Sequence, residues 1–121
     1  MLLPAMIRER VPTASIGFFL HIPFPSFEIY RLLPERKELL RGLLGADVIG
    51  FHVYDYAQHF LDSCRRLLGV PSSNGVIEYE GRSIKVSAYP IGIDYAKFRS
   101  QLESKETKSA LKQLAANYKK Q

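Results

Sequence analysis

Ile16-Gly17-Phe18-Phe19-Leu20-His21-Ile22-Pro23-Phe24-Pro25 is the stretch around which the chain is organised. Its first five residues are apolar, rich in β-branched and aromatic side chains, and do not alternate with polar ones. That pattern suits a strand buried on both faces of a parallel sheet. Gly17 inside the run predicts a close backbone approach on one side. Two prolines then stiffen the exit, each locking its own φ and pushing the residue before it, Ile22 or Phe24, towards extended geometry. His21 is thereby placed at the carboxyl end of a buried strand, on a loop with little freedom. Open α/β sheets bind ligands outside that end, so a hydrogen-bonding, titratable ring there is a candidate site residue. Taken by itself, a single histidine at a strand end is more often a satisfied structural residue than a functional one.

Working outward, Leu2–Arg10 reads as a helix with Arg8 and Arg10 near its end and Pro4 in its first turn. After Pro25, Ser26 is placed to cap a short helix running to Leu33, where Pro34 breaks it. Glu35–Leu44 reads as a further helix with Gly45 as a left-handed stop. Asp47–His52 is a second buried strand, again ending in histidine. Tyr54–Leu68 is amphipathic, with Tyr56, Phe60, Leu61, Cys64, Leu67 and Leu68 on one stripe and Asp62, Arg65 and Arg66 facing away. Cys64 on that stripe reads as a small core hydrophobe, and Gly69 ends the helix. Pro71–Gly75 reads as a loop. Val76–Tyr79 and Ser83–Ala88 are strands joined by a tight turn at Glu80-Gly81-Arg82. Tyr95–Lys120 is helical in composition, with capping signals at Ser100–Ser104 that divide it in two. The order predicts an α/β fold with a mainly parallel sheet, flanking helices and one β-hairpin.

Composition narrows the function classes. No apolar run approaches the roughly 20 residues that span a bilayer, and Met1-Leu-Leu-Pro lacks the features of a signal peptide. One cysteine excludes an intrachain disulfide framework, and three scattered histidines do not form a zinc-type cluster. A reducing cytoplasm is the natural compartment. The net charge of +5 raises nucleic acid as a partner, but six basic against two acidic residues lie from Arg99 onward. The excess therefore sits on a terminal helical stretch whose one aromatic is Tyr118, which reads as a solvated face.

Three strand ends direct polar groups to one rim: His21, His52 and Asp94. There is no Gly-x-Gly-x-x-Gly loop, no Walker-type lysine loop and no nucleophile elbow. No paired carboxylates flank the prolines as a glycosidase requires. From the residues alone this is an α/β ligand-binding lobe without a self-contained catalytic set. His52 reads as structural, and Asp94 as the cap of the helix that follows.

The stretch 16–25, together with Glu28-Ile-Tyr30-Arg31, Leu33-Pro34, Leu40-Arg-Gly-Leu-Leu-Gly-Ala-Asp47, Ile49-Gly-Phe-His52, Tyr54-Asp-Tyr56, His59-Phe60 and Tyr89-Pro-Ile-Gly-Ile-Asp94, resembles the trehalose-6-phosphate synthases. These are glucosyltransferases of family 20, built from two Rossmann-like lobes (GT-B). The resemblance covers nearly the whole chain. It implies a partial Rossmann-like N-terminal lobe over residues 1–98 and a helical segment, 99–121, leading towards a second lobe. It implies UDP-forming, retaining transfer of glucose from UDP-glucose to glucose 6-phosphate, with no cofactor, no metal, no nucleic acid and no membrane partner. A homo-oligomeric parent is compatible with it. His21 matches the histidine that faces the donor glucose, and Ile22 a neighbour lining the acceptor pocket. The family's Gly-rich loop would precede Met1, and its Arg/Lys pair on the UDP phosphates would follow Gln121. The chain alone is therefore expected to be an inactive, poorly stable fragment. Val53 stands where threonine is common, and Phe27 where a smaller residue is. Two other readings stay open: a lobe of another GT-B glycosyltransferase, and a non-catalytic α/β regulatory or assembly domain.

Overall fold

Three parallel and two antiparallel strands form one mixed sheet in the computed structural model, which describes residues 1–118. The first of two units, Met1–Pro90, runs α1 (Leu3–Arg10), β1 (Gly17–Leu20), α2 (Phe27–Tyr30), α3 (Arg36–Leu43), β2 (Val48–Phe51), α4 (Tyr54–Leu68), β3 (Ser72–Ser73), β4 (Val76–Tyr79) and β5 (Arg82–Ala88). The second unit, from Ile91, holds α5 (Tyr95–Leu102) and α6 (Lys105–Tyr118). The expected continuation of the last helix to Lys120 lies outside the described residues.

The strand order is β1-β2-β5-β4-β3. β1 pairs with β2 and β2 with β5 in parallel; the first pair is joined through α2 and α3, the second through α4 followed by β3 and β4, long crossovers of the kind parallel pairing requires. β5 is also the second arm of the expected hairpin, pairing antiparallel with β4. Glu80 and Gly81 turn that hairpin with φ of 49° and 74°, the double left-handed geometry that suits the twist of two-residue hairpins. Asn74 and Gly75, at φ of 50° and 75°, make a second such turn between β3 and β4. The segment read as a loop at Pro71–Gly75 thus contains a short edge strand.

Alternation decides which face carries the core. Ile49, Phe51, Ile77, Ile84 and Val86 are buried together with Ala57, Phe60, Leu61 and Cys64 of α4, and with Leu40, Leu43 and Leu44 of and just after α3. Each large apolar side chain so buried contributes roughly 1.5–3 kcal/mol. Phe24 completes this layer, its ring 4.8 Å from Tyr30 and 5.4 Å from Phe60. The opposite face differs from the expectation of strands buried on both sides. Gly17, Val48, Ser83 and Lys85 are exposed there, because the core of the described residues lies on one side of the sheet only.

Three local expectations change. Gly17 has open space where a side chain would stand, and the close approach falls at Gly50 instead. Gly45 is not left-handed; α3 ends through Leu44 in right-handed geometry. A side chain at Gly45 would run into the backbone of Pro4 and Ala5, so this glycine lets α1 sit against the end of α3. Ser26 precedes α2 without a side-chain capping bond. α2 itself closes after one turn, and residues 31–33 continue as tighter turns, with Leu32 N–H donating to Ile29 O and Leu33 N–H to Tyr30 O. The bounds of α4 and its left-handed cap at Gly69, φ 70°, are as expected.

Candidate functional site

Parallel pairing in register sets the candidate site. Leu20 lies opposite Phe51, and Phe51 opposite Ala88, so three parallel strands end level. The next residues of β1 and β2 are His21 and His52. Their rings lie 5.3 Å apart between centroids, at 64°. Phe19 completes the group, 4.7 Å from His21 and 5.0 Å from His52. Its ring occupies the space above Gly50. A side-chain carbon at Gly50 would stand 2.7 Å from the Phe19 ring and 3.0 Å from that of Tyr89. Tyr89 is fixed there by its N–H, which donates to Phe51 O at 2.7 Å. Phe19 and Gly50 face away from the core, and Phe19, His21, His52 and Tyr89 gather on that side of the rim.

The loop leaving His21 is pinned three residues on. His21, Ile22 and Pro23 are exposed, whereas Phe24 is 1% exposed and inserted into the core. Its carbonyl lies 3.1 Å from His59 Nδ1 of α4. The Arg66 guanidinium sits 4.6 Å from the centre of the Phe27 ring, a cation–π contact that ties α2 to α4. The larger residue at position 27 therefore has a packing partner. Val53 gives α4 no side-chain cap, consistent with the missing hydroxyl. His21 is thus presented on a short, anchored loop, with neither imidazole hydrogen-bonded to another described residue.

The opposite, amino-terminal end of the strands carries a polar hub that the sequence did not reveal. Asp47 accepts from Ile16 N–H at 2.7 Å and from Arg8 Nη2 at 2.7 and 2.8 Å, with Arg82 Nη1 3.6 Å away. The Ile16 hydrogen bond, assisted by Arg8 and Arg82 against the opposing effect of burial, holds the Asp47 carboxyl below its usual range. Arg8 also donates to the carbonyls of Gly45, Pro12 and Ala14, and Arg82 to those of Leu44 and Ala46. This hub shapes the scaffold and is remote from the rim.

Asp94 lies outside the first unit. It belongs to the second, where its Oδ1 accepts from Lys97 N–H at 3.0 Å and caps α5, as expected. A cleft of about 480 Å³ has no counterpart among the sequence expectations. Tyr54, Gln58, Ser72, Asn74 and Ser87 line it over Ala57, Leu61, Val86 and Ala88. The Asn74-Gly75 pair was the signal for it, since the turn forms one wall. Cys64 is fully buried, and burial pushes its thiol up to about 12. Among the described residues no three His, Cys, Asp or Glu side chains gather as metal ligands, and no helix is long and apolar enough to cross a membrane.

Comparison with known proteins places these features in context. The family model described as glycosyltransferase family 20 matches residues 1–121. A UDP-forming alpha,alpha-trehalose-phosphate synthase of Pichia angusta is 51% identical, over 99% of this chain and 26% of its own length. Among solved structures, the N-terminal domain of a Candida albicans trehalose-6-phosphate phosphatase is similar with a TM-score of 0.82 and 42% identity, over 97% of this chain and 25% of that one. A UDP-forming alpha,alpha-trehalose-phosphate synthase from Burkholderia xenovorans, solved with glucose-6-phosphate, has a TM-score of 0.74 and 28% identity, over 88% and 26%. The chain spans about a quarter of the length of these relatives.

Proposed function

The chain belongs to glycosyltransferase family 20, and on that premise we propose that it is part of the N-terminal lobe of a cytoplasmic alpha,alpha-trehalose-phosphate synthase. The reaction is retaining transfer of glucose from UDP-glucose to glucose 6-phosphate. The observation that carries this reading is the His21 imidazole, exposed at the carboxyl rim of the parallel strands on a loop anchored by Phe24. Its ring nitrogens have no described protein partner and are available to a sugar hydroxyl. A neutral imidazole holding one hydroxyl fixes the sugar's orientation and favours the charge that develops at the anomeric carbon as the bond to UDP breaks. Ile22, exposed beside it, offers an apolar wall to the acceptor. The leaving phosphates need cationic groups, which we assign to residues outside this segment. The segment alone is therefore expected to release no UDP.

The test is steady-state kinetics on the full-length protein that carries this segment. UDP release from UDP-glucose should depend on glucose 6-phosphate. His21→Ala should lower kcat by on the order of 10²-fold with an unchanged melting temperature. Unchanged turnover with a large loss of melting temperature would make His21 structural and remove the proposed role. A second reading, a non-catalytic N-terminal domain, is favoured by the likeness to the N-terminal domain of a trehalose-6-phosphate phosphatase. A full-length protein that folds but releases no UDP would support it.

A further inference from the structure

We propose that His52 is a positioning residue for His21, holding the His21 imidazole by ring packing so that one nitrogen is aimed at the sugar. The inference rests on the reading of His21 as the contact to the donor glucose. His21 lies one residue beyond the last ladder pair, Leu20 with Phe51, so sheet hydrogen bonding does not fix its side chain. The imidazole torsion is broad, without the deep staggered wells of an aliphatic side chain. Neither histidine ring is hydrogen-bonded to another described residue, so no polar partner sets the angle of the His21 ring. Neighbouring rings do. Phe19 meets it at 4.7 Å and 49°, His52 at 5.3 Å and 64°, and Phe19 meets His52 at 5.0 Å and 79°. Each ring of this triangle braces the other two.

His52 is the better-held histidine. It is half-buried where His21 is exposed, and it leaves β2, which is flanked on both sides by β1 and β5. α4 begins two residues later. Gly50 provides the room in which Phe19 lies across the base of the triangle. A steeply angled, edge-on pair is a preferred aromatic geometry, and it resists tilting of either ring. Small errors in the placement of a sugar-contacting group cost rate steeply. His52 thus acts on turnover through its neighbour, without touching substrate.

The experiment uses the full-length protein that carries this segment, with UDP-glucose and glucose 6-phosphate as the probes and His21→Ala as a control. His52→Ala should lower kcat on the order of tenfold, leave both KM values within about twofold, and leave the melting temperature unchanged. His52→Phe, which keeps a ring edge but no nitrogen, should restore most of kcat. Wild-type turnover in His52→Ala, or a His52→Phe as slow as His52→Ala, overturns the proposal. So does a melting temperature that falls in step with kcat. If His21→Ala is impaired while His52→Ala is not, this inference alone fails. If His21→Ala is also unimpaired, or the wild type releases no UDP, the reading of His21 fails and this inference falls with it.

Discussion

Arg8 and Asp47, thirty-nine residues apart in sequence, meet through one guanidinium nitrogen that reaches both carboxylate oxygens at 2.7 and 2.8 Å. The same carboxylate receives the N–H of Ile16 at the entrance to β1. One side chain thus joins the end of α1, the start of β1 and the start of β2. Asp47→Ala should lower stability by about 2 kcal/mol, since it leaves a charged partner and a backbone donor unmatched. The loss would be read as a shift in the urea midpoint. The same group predicts a pH dependence. Its pKa is lowered from the ordinary 3.8, first by the Ile16 hydrogen bond and then by Arg8. A depressed carboxyl contributes stability that is complete above its unfolded value and lost as pH falls through the lower, folded one. Asp47→Asn should flatten that acid limb; an unaltered limb would assign it to other carboxyls.

Gly50→Ala should disturb the rim from beneath. The added methyl would stand 2.7 Å from the Phe19 ring and 3.0 Å from that of Tyr89, and Phe19 touches both histidines. Overpacking of this kind costs about 1–3 kcal/mol. Turnover of the full-length protein should fall further than its stability explains. A variant with normal kcat would mean that Phe19 can move without disturbing His21.

Cys64 should resist alkylation in the native protein. Its side chain is fully buried and burial raises its pKa from 9.0 to about 12, so little thiolate is accessible. Thiol labelling at mild alkaline pH should follow opening of the fold and accelerate with urea. Above pH 9 the unfolded thiol loses its proton while the folded one keeps it, so stability declines as pH rises. Cys64→Ser should cost about 1–3 kcal/mol by burying another hydroxyl, beside a Ser63 Oγ that already lacks a partner. Rapid native-state labelling would contradict this burial.

Pro23→Ala combined with Pro25→Ala should weaken catalysis in the full-length protein without removing a proposed ligand contact. The freed loop must give up more freedom on binding. Because Phe24 remains buried and its carbonyl stays near His59, the fold should lose only about 1 kcal/mol. Kinetic constants equal to those of the wild type would remove the argument from loop rigidity.

What was legible in the sequence was local. The stripe of α4, its glycine stop, the Glu80-Gly81 hairpin and the Asp94 cap each follow from residues close together in the chain. Gly17 and Gly50 were not legible in the same way. Which glycine admits a neighbouring ring depends on the register between strands, and Phe19 crosses over Gly50, not over Gly17. Gly45 ends a helical pattern and so resembles a cap, but the room it leaves is taken by the backbone of α1. The one-sided core escaped because an unalternating apolar run does not say which neighbours cover it. Asn74-Gly75 was a hairpin signal on its own, masked by the lack of apolar alternation in Ser72–Ser73. At the rim, each histidine was visible as a strand end. Their contact required knowing that β1 and β2 are adjacent, parallel and level.

β5 pairs on one edge with the neighbour it reaches through a two-residue turn, and on the other with β2, whose partner residues lie far back in the chain. The two edges therefore form under different kinetic rules. The β3–β4–β5 meander needs only short loop closures, of the kind completed in microseconds, whereas matching β2 to β5 and β1 to β2 must first overcome the entropy of long closures. The histidine triangle depends wholly on that second, slower class of pairing. Its rings come together only where β1 lies level with β2, so contact between the two histidines is a marker for that long-range pairing.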